Sequence, residues 1–236
     1  MGGDVAALRP LLAAVGLGLG VAAVSEPCPE PAGPAEAEAA ASMPPSRRLE
    51  FLAGRRAARR ALRAVGLDCG EIPRVGRLPV FPPGRAASIS HSAGIAVAVA
   101  RAPGRDLPLG CDLELRPLPP AAARLVLRAD EEPLLEGGAS ARVGGEARPG
   151  RDASPPGAGA GWSVTELFSA KEAAWKALAL VEGGRRAGAA SGLWDLRATS
   201  RGRELRVCLR ADPAHAVRVR VVQVGPGVFS YVVGRA

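Results

Sequence analysis

The alternation of apolar and polar residues predicts a helix followed by strands, twice over. The first helix has Ser46 as its N-cap, carries apolar residues at helical spacing, and ends before Gly66. A continuous apolar strand follows at Ile95 to Ala100. The second helix opens with a capping-box pattern at Ser163 and ends at Gly183-Gly184. Four strands are predicted to close the chain: Leu193 to Ala198, Leu205 to Leu209, Val217 to Val224 and Val228 to Val233.

Segments rich in proline, glycine and alanine separate these elements. Residues 25–45 and 72–87 are predicted surface loops, and residues 136–161 are a predicted flexible insert. A short helix is predicted from Ala121 to Arg128. The apolar run from Leu11 to Val24 is shorter than the ~20 residues of a membrane span. We interpret it as a buried strand; a signal-peptide core is the alternative, although the stretch before it lacks net positive side-chain charge.

The composition is that of a basic globular protein. The chain has 236 residues, a net charge of +8 and a pI near 10.5, so we expect an acidic partner. Only 3% of the residues are aromatic, which argues against a stacking platform for single-stranded nucleic acid. The cysteines are widely spaced and form neither a zinc pattern nor a plausible disulfide framework. We therefore expect reduced thiols in a cytoplasmic protein.

Two carboxylates two residues apart mark a predicted strand end at Gly110-Cys111-Asp112-Leu113-Glu114. Because side chains alternate across a strand, Asp112 and Glu114 should point to the same face. Neighbouring carboxylates repel each other unless a proton or a cation lies between them. Their oxygens suit a hard divalent ion such as magnesium. A solvated strand end is the alternative.

Three other segments carry candidate chemistry. Ser90 and His91 lie at the mouth of the apolar strand, where His91 could bind an anion or simply be satisfied in a loop. Glu172 and Lys176, four residues apart on the second helix, form either a surface ion pair or part of a site. Seven arginines on or near the first helix form either a solvated face or a phosphate-binding face. They are Arg47, Arg48, Arg55, Arg56, Arg59, Arg60 and Arg63.

Together these segments resemble the 4'-phosphopantetheinyl transferases, and within them the branch that includes enterobactin synthase component D. The resemblance covers roughly residues 45–235 and lies in the order and spacing of four motifs. The chain departs from the family pattern at Phe81-Pro82, where Trp-Pro is common, and at Ala87, where glycine is usual. The matching motifs are Arg47-Arg48-Leu49-Glu50-Phe51 with Gly54-Arg55 and Ala58-Arg59; Ser88-Ile89-Ser90-His91-Ser92; Gly110-Cys111-Asp112-Leu113-Glu114; and Phe168-Ser169-Ala170-Lys171-Glu172-Ala173-Ala174-Trp175-Lys176.

The resemblance implies an enzyme that transfers the 4'-phosphopantetheine arm of coenzyme A to a serine of an apo carrier protein. The serine hydroxyl would attack the coenzyme A pyrophosphate, and adenosine 3',5'-bisphosphate would leave. This reaction requires charge neutralisation at the pyrophosphate, a base, and anchors for the nucleotide. The expected protein partner is an acidic acyl, peptidyl or aryl carrier of a nonribosomal peptide, polyketide, siderophore or fatty-acid synthase. A basic surface would speed that encounter.

The resemblance also implies roles for the matching side chains. Asp112, Glu114 and Glu172 would hold magnesium against the pyrophosphate oxygens. Glu172 would accept the serine proton, directly or through a water, and Lys176 would stabilise the charge that develops on the phosphates. Five further residues would bind coenzyme A phosphates, the first two of them at the 3'-phosphate: Arg47, Arg55, Arg77, Ser90 and His91.

The implied fold is α+β, with two similar halves related by a pseudo-two-fold axis and the active site between them. We expect the halves to span residues 1–112 and 113–236, with the insert at about 136–161 in the second. Because one chain can then form the whole site, we expect a monomer, with no membrane span and no nucleic-acid partner.

Two other functions remain open from the sequence alone. A basic nucleic-acid-binding module could place the arginine-rich helix in a groove, but paired carboxylates without a metal would repel its phosphates. A different magnesium-dependent phosphoryl-transfer or phosphodiesterase enzyme could share the ligand set and act on coenzyme A without a carrier protein.

Overall fold

The computed structural model describes residues 2–27, 30–76, 78–102, 104, 107–135, 161–179 and 192–236. Within these ranges, two antiparallel sheets each pack against one long helix, and a short hairpin lies apart. The helices are α1 (Gly2–Ala6), α2 (Arg9–Ala13), α3 (Pro34–Ala41), α4 (Pro45–Arg63), α5 (Ala123–Val126) and α6 (Val164–Ala179). The strands are β1 (Leu17–Ala23), β2 (Arg74–Val75), β3 (Leu78–Pro79), β4 (Ala87–Ser92), β5 (Ile95–Arg101), β6 (Cys111–Glu114), β7 (Leu196–Arg201), β8 (Glu204–Leu209), β9 (Ala216–Val224) and β10 (Gly227–Arg235).

Helix α4 covers the three-stranded sheet, whose strand order is β1-β5-β4. The helix can approach closely because the residues that face it are small. Ala96, Ala98 and Ala100 of β5 are fully buried against α4. A Cβ atom on Gly20 of β1 would overlap the carbonyl oxygen of Ala57 on the helix. Gly18 and Gly20, both in β1, are therefore sites of helix–strand contact.

Helix α6 covers the five-stranded sheet, whose order is β6-β10-β9-β8-β7. Its start is the predicted capping box, in which the Glu166 amide donates to Ser163 Oγ at 3.2 Å and the Ser163 amide donates to Glu166 Oε2 at 2.8 Å. Leu167, Ala170 and Ala174 bury one side of the helix against the sheet. This packing fixes which side of α6 is turned toward β6.

The two sheets meet where β4 runs beside β6 in the same direction, and serine hydroxyls make the connection. Three alternate serines of β4 accept hydrogen bonds from alternate backbone amides of β6 and the residue that follows it. The pairs are Ser88 with Cys111 at 3.0 Å, Ser90 with Leu113 at 3.3 Å, and Ser92 with Leu115 at 3.1 Å. We call this row the serine seam. The sheet faces turned away from α4 and α6 share an apolar core, which includes Leu19, Val97, Val99, Leu113, Phe229 and Tyr231.

Most of the predicted elements are confirmed. The α+β class, both long helices, the strand at Ile95 and the strand that carries Asp112 and Glu114 are present, and the last three strands lie where the alternation predicted them. The strand predicted at Leu193 to Ala198 begins three residues later, as β7, because residues 193–195 form a 3-10 turn. Cys69, Cys111 and Cys208 are free thiols. No helix in the described part of the chain is long and apolar enough to cross a membrane. The pseudo-two-fold relation stays a prediction. So does the boundary after residue 112, which falls inside β6.

Several local predictions are wrong. Ser46 is not the N-cap, because α4 begins at Pro45, whose fixed φ suits a first helical position. The predicted loop 25–45 contains α3, which also begins with a proline and continues with alanines and glutamates, all good helix formers. Within the run 11–24, only β1 is a strand; part of α2 precedes it.

The remaining differences concern loops. The predicted loop 72–87 contains the short hairpin of β2 and β3, and Ser90 lies inside β4 rather than at a strand mouth. The predicted helix 121–128 is a single turn, α5, with 3-10 turns on either side of it. The insert at 136–161, except for its last residue, and the predicted helix end at Gly183-Gly184 lie outside the described residues.

Arginines of α4 hold the helix to the segments around it. Glu26, in the turn after β1, accepts Arg56 Nη1 at 2.7 Å and Arg60 Nη2 at 2.9 Å. The fully buried carboxylate of Glu36 accepts Arg59 Nη1 at 2.6 Å. Hydrogen bonding to Arg60, together with the contacts to the Ala23 amide and Arg56, lowers the pKa of Glu26 to about 2.

We expect Glu26→Gln to destabilise the fold by about 1–3 kcal/mol at pH 7, the shift being discounted for partial exposure. Since the folded-state pKa lies below the ordinary value, this stability is present above pH 4.5 and is lost as pH falls toward 2. Thermal unfolding at pH 7 and pH 3 should therefore show the difference between variant and wild type shrinking in acid. Glu30→Gln, at an exposed position, is the control. A Glu26→Gln deficit that is equal at both pH values would contradict the ion-pair assignment.

Candidate active site

Asp112 lies at the centre of a polar cluster on the face of β6 that is turned toward α6. Its side chain is almost fully buried. The Oδ1 atom accepts two hydrogen bonds, from Ser90 Oγ at 2.8 Å and from Lys176 Nζ at 2.7 Å. The Oδ2 atom is also buried, and no hydrogen-bond partner for it is found in the described structure. Asp112 therefore presents one oxygen that is still able to accept a ligand.

Lys176 reaches this carboxylate from α6, 64 residues later in the chain. Its Nζ atom also donates to the carbonyl oxygen of Cys111 at 3.0 Å. Burial alone would lower the pKa of Lys176, but the attraction of Asp112 and the other negative groups around it outweighs burial and raises it. Lys176 is therefore a fixed positive charge beside Asp112. Of the two lysines in the α6 motif, Lys176 is therefore the one in contact with Asp112.

Glu114 and Glu172 complete the negative side of the cluster. Burial, with the nearby carboxylates of Asp112 and Glu172, raises the pKa of Glu114 to about 7. Burial and the charge of Asp112 also raise the pKa of Glu172, against the opposing effect of Lys176. Each raised pKa shows that the ionised form lacks compensation from the protein alone. A bound cation would supply the missing compensation.

The three carboxylates fit magnesium in donor type, since all are hard oxygen ligands and Asp112 has an unpartnered buried oxygen. They are not a closed cage: in the part of the chain that is described, no three His, Cys, Asp or Glu side chains are close enough to form a ready metal cluster. The metal-ligand roles of Asp112, Glu114 and Glu172 stay predictions. Magnesium is commonly held by few protein ligands plus substrate phosphates and water, so an open carboxylate set suits it.

Arg47 and His91 meet next to this cluster. Arg47 Nη1 donates to His91 Nε2 at 2.9 Å and also contacts Glu50 at 3.0 Å. Because arginine can only donate, His91 must be neutral, with its proton on Nδ1. Burial lowers the pKa of His91, and the positive charges of Arg47 and Lys176 lower it further. The pair brings an exposed guanidinium and an imidazole together from two predicted motifs.

Arg55 is placed differently from Arg47. It lies two turns further along α4 and is almost fully buried, with Nε donating to the Ile72 carbonyl oxygen at 2.8 Å. Its guanidinium lies over the Phe51 ring at 4.5 Å. Burial lowers its pKa to about 10, so it remains charged at neutral pH. Arg77, the other predicted phosphate ligand, falls outside the described residues.

The structure thus brings together Asp112, Ser90 and Lys176 by direct contact, with Glu114 and Glu172 in the same electrostatic cluster. Arg47 and His91 adjoin it, and Arg55 stands apart. Sequence reasoning missed the serine seam as a whole. The signal was present as alternate serines in Ser88-Ile89-Ser90-His91-Ser92, matching in period the alternate carboxylates of β6, but only a structure shows that the two strands are neighbours.

A known protein family matches part of the chain. No curated protein matches the chain. Residues 35–101 match the model of the 4'-phosphopantetheinyl transferase N-terminal domain. The matched segment runs from α3 to the end of β5, so it contains Arg47, Arg55, Ser90 and His91 and ends before Asp112. The branch around enterobactin synthase component D stays a prediction. The match supports a transferase of the 4'-phosphopantetheinyl transferase superfamily.

Proposed function

We propose that this protein transfers the 4'-phosphopantetheine arm of coenzyme A to a serine of an apo carrier protein, with magnesium. One observation carries the proposal: three motifs meet at a single carboxylate. Ser90, from the segment that matches the transferase N-terminal domain, and Lys176, from α6, both hydrogen-bond Asp112 Oδ1. Phosphoryl transfer depends on positioned charges more than on covalent chemistry, and this arrangement supplies charges of both signs.

The coenzyme A phosphates would meet the positive side of the site. Arg47 is exposed and lies against His91, so a phosphate could replace Glu50 as the charged acceptor for its guanidinium. Arg47 and Arg55 are the proposed 3'-phosphate ligands, although the present contacts of Arg55 are structural. Arg77 is a further proposed ligand of the coenzyme A phosphates.

Magnesium would be held by Asp112, Glu114 and Glu172, and when bound it would neutralise charge on the pyrophosphate oxygens. Glu172 is the proposed base for the carrier serine, directly or through a water. Its place in the carboxylate cluster, near Asp112 and Lys176, supports that role. Lys176, fixed as an ammonium, would stabilise the negative charge that develops on the transferred phosphate.

The protein partner would be an acidic carrier protein or carrier domain, drawn by the net charge of +8. The rival function as a nucleic-acid module loses support, because Arg55, Arg56 and Arg59 of the arginine-rich helix are engaged within the protein. The site would be complete in one chain, so we propose a monomer.

The direct test is mass spectrometry of apo carrier proteins incubated with the protein, coenzyme A and magnesium. We expect the carrier serine to gain the phosphopantetheine mass, with adenosine 3',5'-bisphosphate released in equal amount. Asp112→Asn should reduce the rate by about 100-fold or more, because it removes a charge from the centre of the site. Nucleotide release without carrier modification would instead support a phosphodiesterase and exclude the transferase.

A second prediction concerns the nucleotide anchor. Arg47→Ala should raise KM for coenzyme A about tenfold, while KM for dephospho-coenzyme A changes little, because only coenzyme A has the 3'-phosphate that Arg47 would pair with. Arg63→Ala is the matched control, since it removes the same charge from the other end of α4, about 24 Å away along the helix. Equal effects of Arg47→Ala on the two substrates would refute the 3'-phosphate contact.

A further inference from the structure

We propose that Ser90 and Ser92 are positioning residues for the two strand carboxylates, so that the serine seam sets the geometry of the proposed magnesium site. This assigns to Ser90 a role different from the phosphate contact that the resemblance implies. It also gives a role to Ser92, which lies in a matching motif but to which the resemblance assigns no role. The inference rests on the proposed function, because it concerns how that site is held.

Ser90 uses its hydroxyl in both directions. The oxygen accepts the Leu113 amide at 3.3 Å, and the hydroxyl proton is donated to Asp112 Oδ1 at 2.8 Å. A serine has only one proton to donate. While it points to Asp112, Ser90 cannot also donate to a substrate phosphate. The residue is 7% exposed, which further limits contact with a ligand.

Ser92 repeats the arrangement two residues later. It accepts the Leu115 amide at 3.1 Å and donates to Glu114 Oε2 at 3.4 Å. In both cases the serine meets the carboxylate 22 residues ahead and the amide 23 residues ahead. The repeat follows from two strands running in the same direction, because both have a side-chain period of two.

These contacts fix the orientation of the Asp112 carboxylate. Ser90 and Lys176 together occupy Asp112 Oδ1, so the carboxylate is held with Oδ2 as its open oxygen. Groups that hydrogen-bond a metal ligand fix its orientation, and their loss typically costs about 10–100-fold in metal affinity. The seam therefore links the sheet of the matched N-terminal domain to the carboxylates outside it.

Ser88 provides a control within the same row. Its hydroxyl accepts the Cys111 amide at 3.0 Å, as the other two serines accept theirs, and the Cys111 thiol donates to the Ser88 backbone carbonyl at 3.3 Å. In the described residues, no contact between Ser88 and a carboxylate is found. Ser88→Ala thus removes one hydrogen bond of the seam without touching a carboxylate. Ser90→Ala and Ser92→Ala remove a seam bond and a carboxylate contact together.

The experiment measures the magnesium concentration at half-maximal thermal stabilisation of the 236-residue chain, without coenzyme A, for wild type and the three alanine variants. We expect all three variants to lose some thermal stability. Only Ser90→Ala and Ser92→Ala should raise the magnesium midpoint, by about 10–100-fold, whereas Ser88→Ala should leave it within about twofold. In the transferase assay, at magnesium concentrations that saturate each variant, KM for coenzyme A should be the same in Ser90→Ala and Ser88→Ala.

The outcomes separate this inference from the proposed function. If wild type shows no magnesium stabilisation and no transfer, the proposed function fails. If wild type responds but Ser90→Ala and Ser88→Ala share one magnesium midpoint, the positioning role is overturned while the function stands. A selective rise in KM for coenzyme A in Ser90→Ala would also overturn it, in favour of a phosphate contact. Should Ser90→Ala not fold, Ser92→Ala decides the question by the same midpoint.

Discussion

The structure depends on hydrogen bonds between serine hydroxyls of β4 and backbone amides of β6. A hydroxyl accepts one hydrogen bond and donates another at the same time, which a backbone carbonyl cannot do. The bonds that join the two sheets therefore also reach the carboxylates of Asp112 and Glu114. At Ser90 and Ser92 the same hydroxyl joins the two sheets and holds a carboxylate, so a shift of β4 relative to β6 would move Asp112 and Glu114.

The polar cluster shows a conflict between stability and chemistry. Three carboxylates share a partly buried region with one ammonium, and the raised pKa values of Glu114 and Glu172 record the cost of ionising them. Such a cluster of carboxylates lowers the stability of a protein that binds nothing there, but it is useful to a protein that binds a cation and a pyrophosphate. Lys176 offsets part of the repulsion, because its ammonium donates to Asp112 directly.

The basic composition has less to do with ligands than the arginine count suggests. Arg56 and Arg60 share Glu26, Arg59 pairs with the buried Glu36, and Arg55 binds a backbone carbonyl. These arginines anchor α4 to the segments on either side of it. Positive charge near the site comes from fewer side chains. They are chiefly Lys176 on α6 and the exposed Arg47 on α4, which lies beside His91.

The sequence by itself determined the two long helices, the apolar strands and the shared face of Asp112 and Glu114, because these follow from periodicities of 3.6 and 2 within single segments. It also showed the four motifs. The tertiary structure alone decided which side chains become hydrogen-bond partners. Ser90 donates to Asp112, 22 residues away, and Lys176 donates to the same carboxylate from 64 residues away. Partners so distant in the chain are chosen by how strands and helices pack, and no local pattern records that choice.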